Sequence, residues 1–211
     1  MMVIMKTIAF IGQKGGTGKT TLASALAVAF ESDGIPTRGI DLDPQASLAG
    51  WSDDRGAFAP EVVVTVAPRL QRELDAAARA GAQVCLIDTA GRAEESSMAA
   101  VKAADLVIIP MQPSAADLKT AASVLNTIKL GGNPPHFAVL TRVKTRGSRA
   151  DEARQFLEGQ GIKVCPYEIS DRVTFQDATA SGMAPQEFEP SGRAAEECRH
   201  VYEFSRQKIE M

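Results

Sequence analysis

Near its start the chain runs an apolar segment, Thr7 to Ile11, straight into Lys14-Gly15-Gly16-Thr17-Gly18-Lys19-Thr20-Thr21. Beyond that loop Leu22, Ala25, Leu26, Ala29 and Phe30 recur at helical spacing until Gly34. A strand that passes through three glycines directly into a helix permits few folds. Without Cβ atoms in the way, successive backbone N–H groups can turn inward as an anion-binding nest. The helix that follows aims its positive end at the same point. Lys19 is placed to reach β- and γ-phosphates, and the Thr20 hydroxyl to ligate Mg²⁺. The dinucleotide pattern G-x-G-x-x-G fails, because Thr21 stands where its last glycine is needed.

The rest of the chain repeats the same alternation. Strands are expected at Thr37 to Leu42, Val62 to Ala67, Val84 to Asp88, Leu106 to Met111 and Phe137 to Thr141, with a weak one near Val164. Helices are expected from Leu70 to Gly81, Glu94 to Ala104, Leu118 to Ile128, Ala150 to Glu158, near Val173, and from Ala194 onward. No long linker, repeat or low-complexity tract interrupts them. The expectation is one α/β domain over residues 1–211, its mostly parallel sheet flanked by helices on both faces. Ligands of such sheets sit beyond the carboxyl ends of the strands.

With 211 residues, 45% of them apolar, the chain can build a sizeable core. A net charge of −3 leaves nucleic-acid contact to a local patch. The apolar runs are far shorter than the ~20 residues of a spanning helix. Met1 to Lys6 is too short for a signal peptide. Cys85, Cys165 and Cys198 have neither metal-like nor disulfide-like spacing, so buried, reduced thiols in a cytoplasmic protein are expected.

Carboxylates complete the pattern. Asp41 and Asp43, in Ile40-Asp41-Leu42-Asp43-Pro44-Gln45, lie two apart and in an extended segment would face one side. Two carboxylates together call for a shared cation. In Leu86-Ile87-Asp88-Thr89-Ala90-Gly91-Arg92 an apolar strand ends in an acid placed to hold Mg²⁺, and the unhindered Gly91 N–H can face a γ-phosphate.

Gln13 stands where the strict G-x-x-x-x-G-K-[ST] pattern has its first glycine, and Lys14 adds a second lysine five residues before Lys19. Lys14 to Thr20 therefore resembles the deviant Walker A box of the ParA/MinD ATPases. Asp41 to Gln45 resembles the D-x-D-P-Q switch of ParA proteins. Pro110 to Asp117 resembles the P-x-x-P-S-x-x-D loop of the small plasmid ParF-type members, although Asp117 can equally cap the following helix. The short segment before the first strand, with no room for a helix-turn-helix domain, fits that small type.

The resemblance implies a P-loop NTPase fold, ATP and Mg²⁺ as cofactors, and a homodimer formed on ATP with Lys14 acting in trans. It makes Lys14, Lys19 and Asp43 catalytic, with Asp43 positioning the attacking water. Lys14 to Thr21, Gly91, Thr141 and Arg142 would bind nucleotide, and Thr20, Asp41 and Asp88 would lie around the metal. Guanine is disfavoured, since Thr141-Arg142-Val143-Lys144 has lysine where a guanine-reading aspartate belongs. The resemblance also implies nonspecific DNA binding, a ParB-like adaptor, a weak partner-stimulated ATPase and a nucleoid-associated location in the cytoplasm.

The strongest basic run is Arg142, Lys144, Arg146 and Arg149, continued by Arg154. Arg172, Arg193, Arg199 and Arg206 are weaker DNA candidates, because Glu196 and Glu203 flank Arg199 at helical spacing. The alternative, a MinD-like membrane-surface protein, needs a basic amphipathic tail, whereas Val201 to Met211 balances Arg206 and Lys208 against Glu203 and Glu210. No membrane contact is therefore expected. Cys85 inside an apolar strand argues against an iron–sulfur relative.

Overall fold

The computed structural model describes residues 4–56, 59–91, 93–144 and 146–210. Six strands, β1 (Lys6–Phe10), β2 (Thr37–Asp41), β3 (Glu61–Val64), β4 (Val84–Asp88), β5 (Leu106–Met111) and β6 (His136–Leu140), form one sheet in the order β3-β2-β4-β1-β5-β6. Every pairing is parallel, so the expectation of a mostly parallel sheet is met by a wholly parallel one. In register Phe10 lies beside Asp88, and Asp88 beside Asp41, which brings three strand tips to one line.

Among the described residues ten helices connect and cover the strands: α1 (Lys19–Ser32), α2 (Ser47–Arg55), α3 (Leu70–Arg79), α4 (Glu94–Ala103), α5 (Ala115–Leu118), α6 (Ala121–Leu130), α7 (Arg149–Gly159), α8 (Val173–Ala180), α9 (Pro185–Phe188) and α10 (Arg193–Lys208). Alternation along the strands divides the core in two. Ile8, Phe10, Leu86 and Ile108 face α1 and α10 on one side. Ala9, Ile11, Ile87 and Ile109 face α3, α4, α6 and α7 on the other.

β4 and β5 are buried throughout, which is why they read as unbroken apolar runs. Leu22 to Phe30 of α1 are all buried, because α1 is enclosed between the sheet and α10. A helix apolar on all sides belongs in such a place.

The structure departs from the sequence expectations in short elements. α2 buries only Leu48, Ala49 and Trp51, too few to mark a helical period. The single helix expected over Leu118 to Ile128 breaks at Lys119-Thr120 into α5 and α6. The four-residue α9 has no counterpart among the expected helices. β3 ends at Val64, and a tight turn at Ala67–Arg69 follows, with Pro68 in it. The weak strand at Val164 is reduced to one bridge with Ala138. All three cysteines are buried and free.

Candidate functional site

The glycine loop follows β1 and adopts the backbone its composition allows. Gly16 and Gly18 sit at φ 75° and 92°, conformations that residues with a Cβ rarely adopt. The loop is pinned from three directions. The Thr141 hydroxyl, at the end of β6, donates to the Thr17 carbonyl at 2.7 Å. The Gln112 side-chain amide, just past β5, donates to the Gly16 carbonyl at 2.9 Å. Gln13, which replaces the usual glycine, reaches out to the Ser123 hydroxyl on α6.

The two lysines are held differently. Lys19 is only 6% exposed, and its ammonium donates to the Lys14 carbonyl at 3.0 Å. Burial lowers its pKa, against the pull of Asp88, Asp43 and Asp117. Lys14 lies at the rim with its ammonium 3.1 Å from Asp117 Oδ1.

The acids separate into distinct roles. Asp88, at the tip of β4 and 1% exposed, accepts the Thr20 hydroxyl on Oδ2 at 2.5 Å. Its Oδ1 is buried with no hydrogen-bond partner among the described residues. Burial pushes its pKa up to about 7, helped by Asp41 and Asp43 and opposed by Thr20 and Lys19. A buried carboxylate oxygen without a partner, beside a hydroxyl at a helix start, is a donor set that fits Mg²⁺.

Asp41 does not share that position. Its Oδ1 accepts the Asp43 N–H at 2.9 Å, and its Oδ2 accepts the Leu48 and Ala49 N–H groups at 2.8 and 3.1 Å. Burial raises its pKa in spite of those bonds. Asp41 thus satisfies N–H groups at the start of α2 that no helical carbonyl reaches and is not part of the cleft lining, whereas Asp43 is. The expectation that both would face one side fails because the chain bends after β2. Among the described residues, no three His, Cys, Asp or Glu side chains gather as a metal cluster.

These residues border a cleft of about 640 Å³. Gly15, Gly16, Gly18, Lys19, Thr20 and Thr21 form one wall, Asp43 and Gly91 one end, and Thr141 and Arg142 part of the far end. Lys14, Thr17 and Asp88 lie behind that lining or at its rim. Gly91 packs so closely that an added Cβ would fall 2.4 Å from the Lys14 carbonyl carbon. Arg92, the last residue of its motif, lies outside the described residues.

The far end also contains Ile169, Ser170, Asp171, Arg172, Phe175 and Gln176, which the sequence did not single out as nucleotide contacts. They arrive through a lone bridge between Val143 and Ser170, which has no apolar run to announce it. Arg172, read as a DNA candidate, instead pairs with Glu197 at 2.8 Å inside this wall. The bend of the chain there shows in Arg142, which has a φ of 50°.

Among the basic run, Arg142, Lys144, Arg146 and Arg149 are exposed. Arg154 is not part of that surface in the same way, since it bonds the Cys165 carbonyl and Glu168. Arg199 bonds the Pro190 carbonyl, and Arg206 pairs with Asp33. Tyr202 and Ile209 of the tail are buried in the core. No helix among the described residues is long and apolar enough to cross a membrane.

A parallel sheet with a glycine loop, a hydroxyl–carboxylate pair and a second loop lysine at one cleft defines a nucleotide-binding protein of the P-loop class. Residues 8–185 match the model of the CobQ/CobB/MinD/ParA nucleotide binding domain, and the chain belongs to this ParA/MinD family of nucleotide-binding ATPases. The maintenance of carboxysome distribution protein A of Gloeobacter kilaueensis is 30% identical over 183 residues, 85% of this chain and 83% of that relative. The ATP complex of McdA from Cyanothece superposes with a TM-score of 0.78 at 18% identity, covering 98% of this chain and 97% of the other. MinD from Pyrococcus horikoshii with Mg-ADP gives a TM-score of 0.78 at 17% identity, with 96% of each chain covered. These structures share the fold, and the family is one of positioning ATPases.

Proposed function

We propose that the chain, acting as one switch domain, binds ATP in the cleft, pairs with a second copy while ATP is bound, and separates after hydrolysis. The observation that supports this best is the convergence of Lys14, Lys19, Thr20, Asp43 and Asp88 on one strand-end cleft. Lys19 neutralises β- and γ-phosphate charge, and Lys14 reaches the partner's phosphates across the pair. Asp43 orients water for in-line attack on the γ-phosphorus, and Gly91 offers its N–H to the γ-phosphate. Thr20 and, through water, Asp88 would hold Mg²⁺, which when bound offsets phosphate charge. Asp41 belongs in this reading to the support of α2. Thr141, Arg142 and the segment from Ser170 to Gln176 enclose the nucleoside.

The paired form binds DNA without sequence preference through Lys144, Arg146 and Arg149, with Arg142 beside them at the cleft. A ParB-like adaptor carrying plasmid, chromosomal or protein cargo stimulates the weak ATPase, at the nucleoid in the cytoplasm. The burial of Tyr202 and Ile209 favours this reading over a membrane-surface one, since those apolar groups are occupied within the core and not free for a bilayer. DNA retention measured with ATP, with ADP and without nucleotide, at two salt concentrations, tests it. Retention is expected only with ATP and is expected to weaken with salt. Equal retention in all three nucleotide states, or strong ATP-dependent pelleting with liposomes, would overturn it.

A further inference from the structure

The two ends of the cleft are carried by different helices, and one side chain fastens those helices together. Asp43, Gln45 and Ser47 line it where β2 passes into α2, and Phe175, Gln176 and Thr179 of α8 line the far end. Arg55, the last residue of α2, has a side chain only 6% exposed. It forks onto Glu187 of α9, Nη1 donating to Oε2 at 2.6 Å and Nη2 to Oε1 at 2.8 Å. Nη1 also donates at 2.9 Å to the carbonyl of Gly182, in the turn between α8 and α9. Glu187 is held in turn by the Ala184 N–H at 2.8 Å. Beside the fork the two backbones touch: Gly182 has a φ of 64°, and an added Cβ there would fall 2.6 Å from the Asp54 carbonyl carbon. The Trp51 indole N–H donates to the Met183 carbonyl at 3.2 Å. The end of α2 and the α8–α9 turn therefore meet without slack.

Leu48 and Trp51 seat α2 on the core, but apolar burial by itself is non-directional and does not set the heading of the helix. Asp41 fixes the first turn. A rod of nine residues, about 13 Å long, needs a second directional tie to fix where it points. Arg55 supplies it at the far end, with the Trp51 N–H beside it. We propose that Arg55 is a positioning residue for hydrolysis: its fork locks α2 to α8 and α9, so that a nucleoside resting on α8 sets where Asp43 stands. The proposal rests on the reading that ATP fills the cleft and that Asp43 orients the attacking water. A bidentate guanidinium–carboxylate pair holds angle as well as distance, which a lysine ammonium does not. Close-packed contacts pass a displacement on because they have no void in which to absorb it.

Trp51, the single tryptophan of the chain and 3% exposed, reports on the joint without an activity assay. In the wild type, bound ADP should shift Trp51 emission, whereas pyrophosphate, which lacks a nucleoside, should not. In Arg55→Lys the ADP response should be lost while calorimetry still finds ADP bound. The kcat for ATP should fall about tenfold or more with KM within about twofold, because a small misplacement acts on the reacting geometry and not on binding. Glu187→Gln should do the same, and the double variant should be no slower than Arg55→Lys, as expected of two groups acting as one. Melting confirms that each variant is folded. A folded Arg55→Lys with unchanged kcat, or with raised KM alone, overturns the proposal. So does a wild-type Trp51 emission that bound ADP leaves unmoved or that pyrophosphate moves as far. That comparison decides alone should the variants not fold. A wild-type chain that binds no ADP sinks the nucleotide reading instead, a result separate from the emission of Trp51.

Discussion

Asp88 combines near-complete burial with a carboxylate oxygen that no described protein group hydrogen-bonds, and its pKa is pushed up to about 7. The cause is burial first, with two neighbouring acids adding to it. Between about pH 4 and pH 7 the folded nucleotide-free chain therefore keeps a proton that the unfolded chain has released. The stability this group contributes is present below about pH 4 and is lost as the pH climbs to about 7. Asp88→Asn removes that dependence. We expect it to stabilise the nucleotide-free protein near neutrality by a few kcal/mol at most, and to abolish ATP hydrolysis. Melting curves across pH 5 to 8, with phosphate release measured in parallel, check both. A variant that melts lower than wild type at pH 7 would contradict the assignment. That Lys19, Thr20, Asp43, Asp88 and Gly91 gather in one place was legible, because their motifs follow strand ends. That Asp41 and Asp43 would face one side was misjudged, because spacing along a strand says nothing of a bend that follows it.

At the level of elements, α2 illustrates why short helices escape a reading of the sequence. Its N-terminus is satisfied by a carboxylate six residues upstream of its first residue, at the tip of β2, and not by a neighbouring cap. At its other end Arg55 gathers Glu187, the Gly182 carbonyl and the Ala59 carbonyl, and its guanidinium lies 4.8 Å from the Trp51 ring centre. The bonds to Gly182 and Glu187 span more than 120 residues of sequence, so no local period records them. The same holds for the far end of the cleft, where Ser170 and Arg172 are organised by Glu197 on α10. By contrast β4 and β5 were legible to the residue, since double-sided burial demands uninterrupted apolar side chains. A paired prediction follows for the switch acids. Asp41→Ala leaves three N–H groups without their acceptor and should cost about 2–4 kcal/mol of stability. Asp43→Ala should change stability by less than about 1 kcal/mol while stopping hydrolysis, because among the described residues the Asp43 carboxylate accepts only the Gln45 N–H. Urea denaturation and ATPase assays on both variants separate the roles. Equal loss of stability in the two would refute the separation.

Over the whole molecule, an overall charge of −3 coexists with an exposed basic run after β6. If that run meets DNA phosphates, removing Lys144, Arg146 and Arg149 together should weaken ATP-dependent retention at every DNA sequence tested. The slope of log affinity against log salt should flatten by about 0.9 for each phosphate no longer neutralised. An unchanged slope would place the DNA surface elsewhere.

The strictly parallel sheet has one more practical meaning. The candidate cleft lies at the carboxyl ends of the strands, so a label at the opposite end stands away from it. The three native thiols are sealed in the interior, and burial raises their pKa values, that of Cys165 to about 11 and that of Cys85 to about 12. Such thiols ionise too little near neutrality to compete with an exposed one. A single cysteine introduced at the exposed Lys163, beside the start of β6, should therefore take a fluorophore alone. The proposed pairing and DNA binding could then be tested one molecule at a time, with the native cysteines left in place.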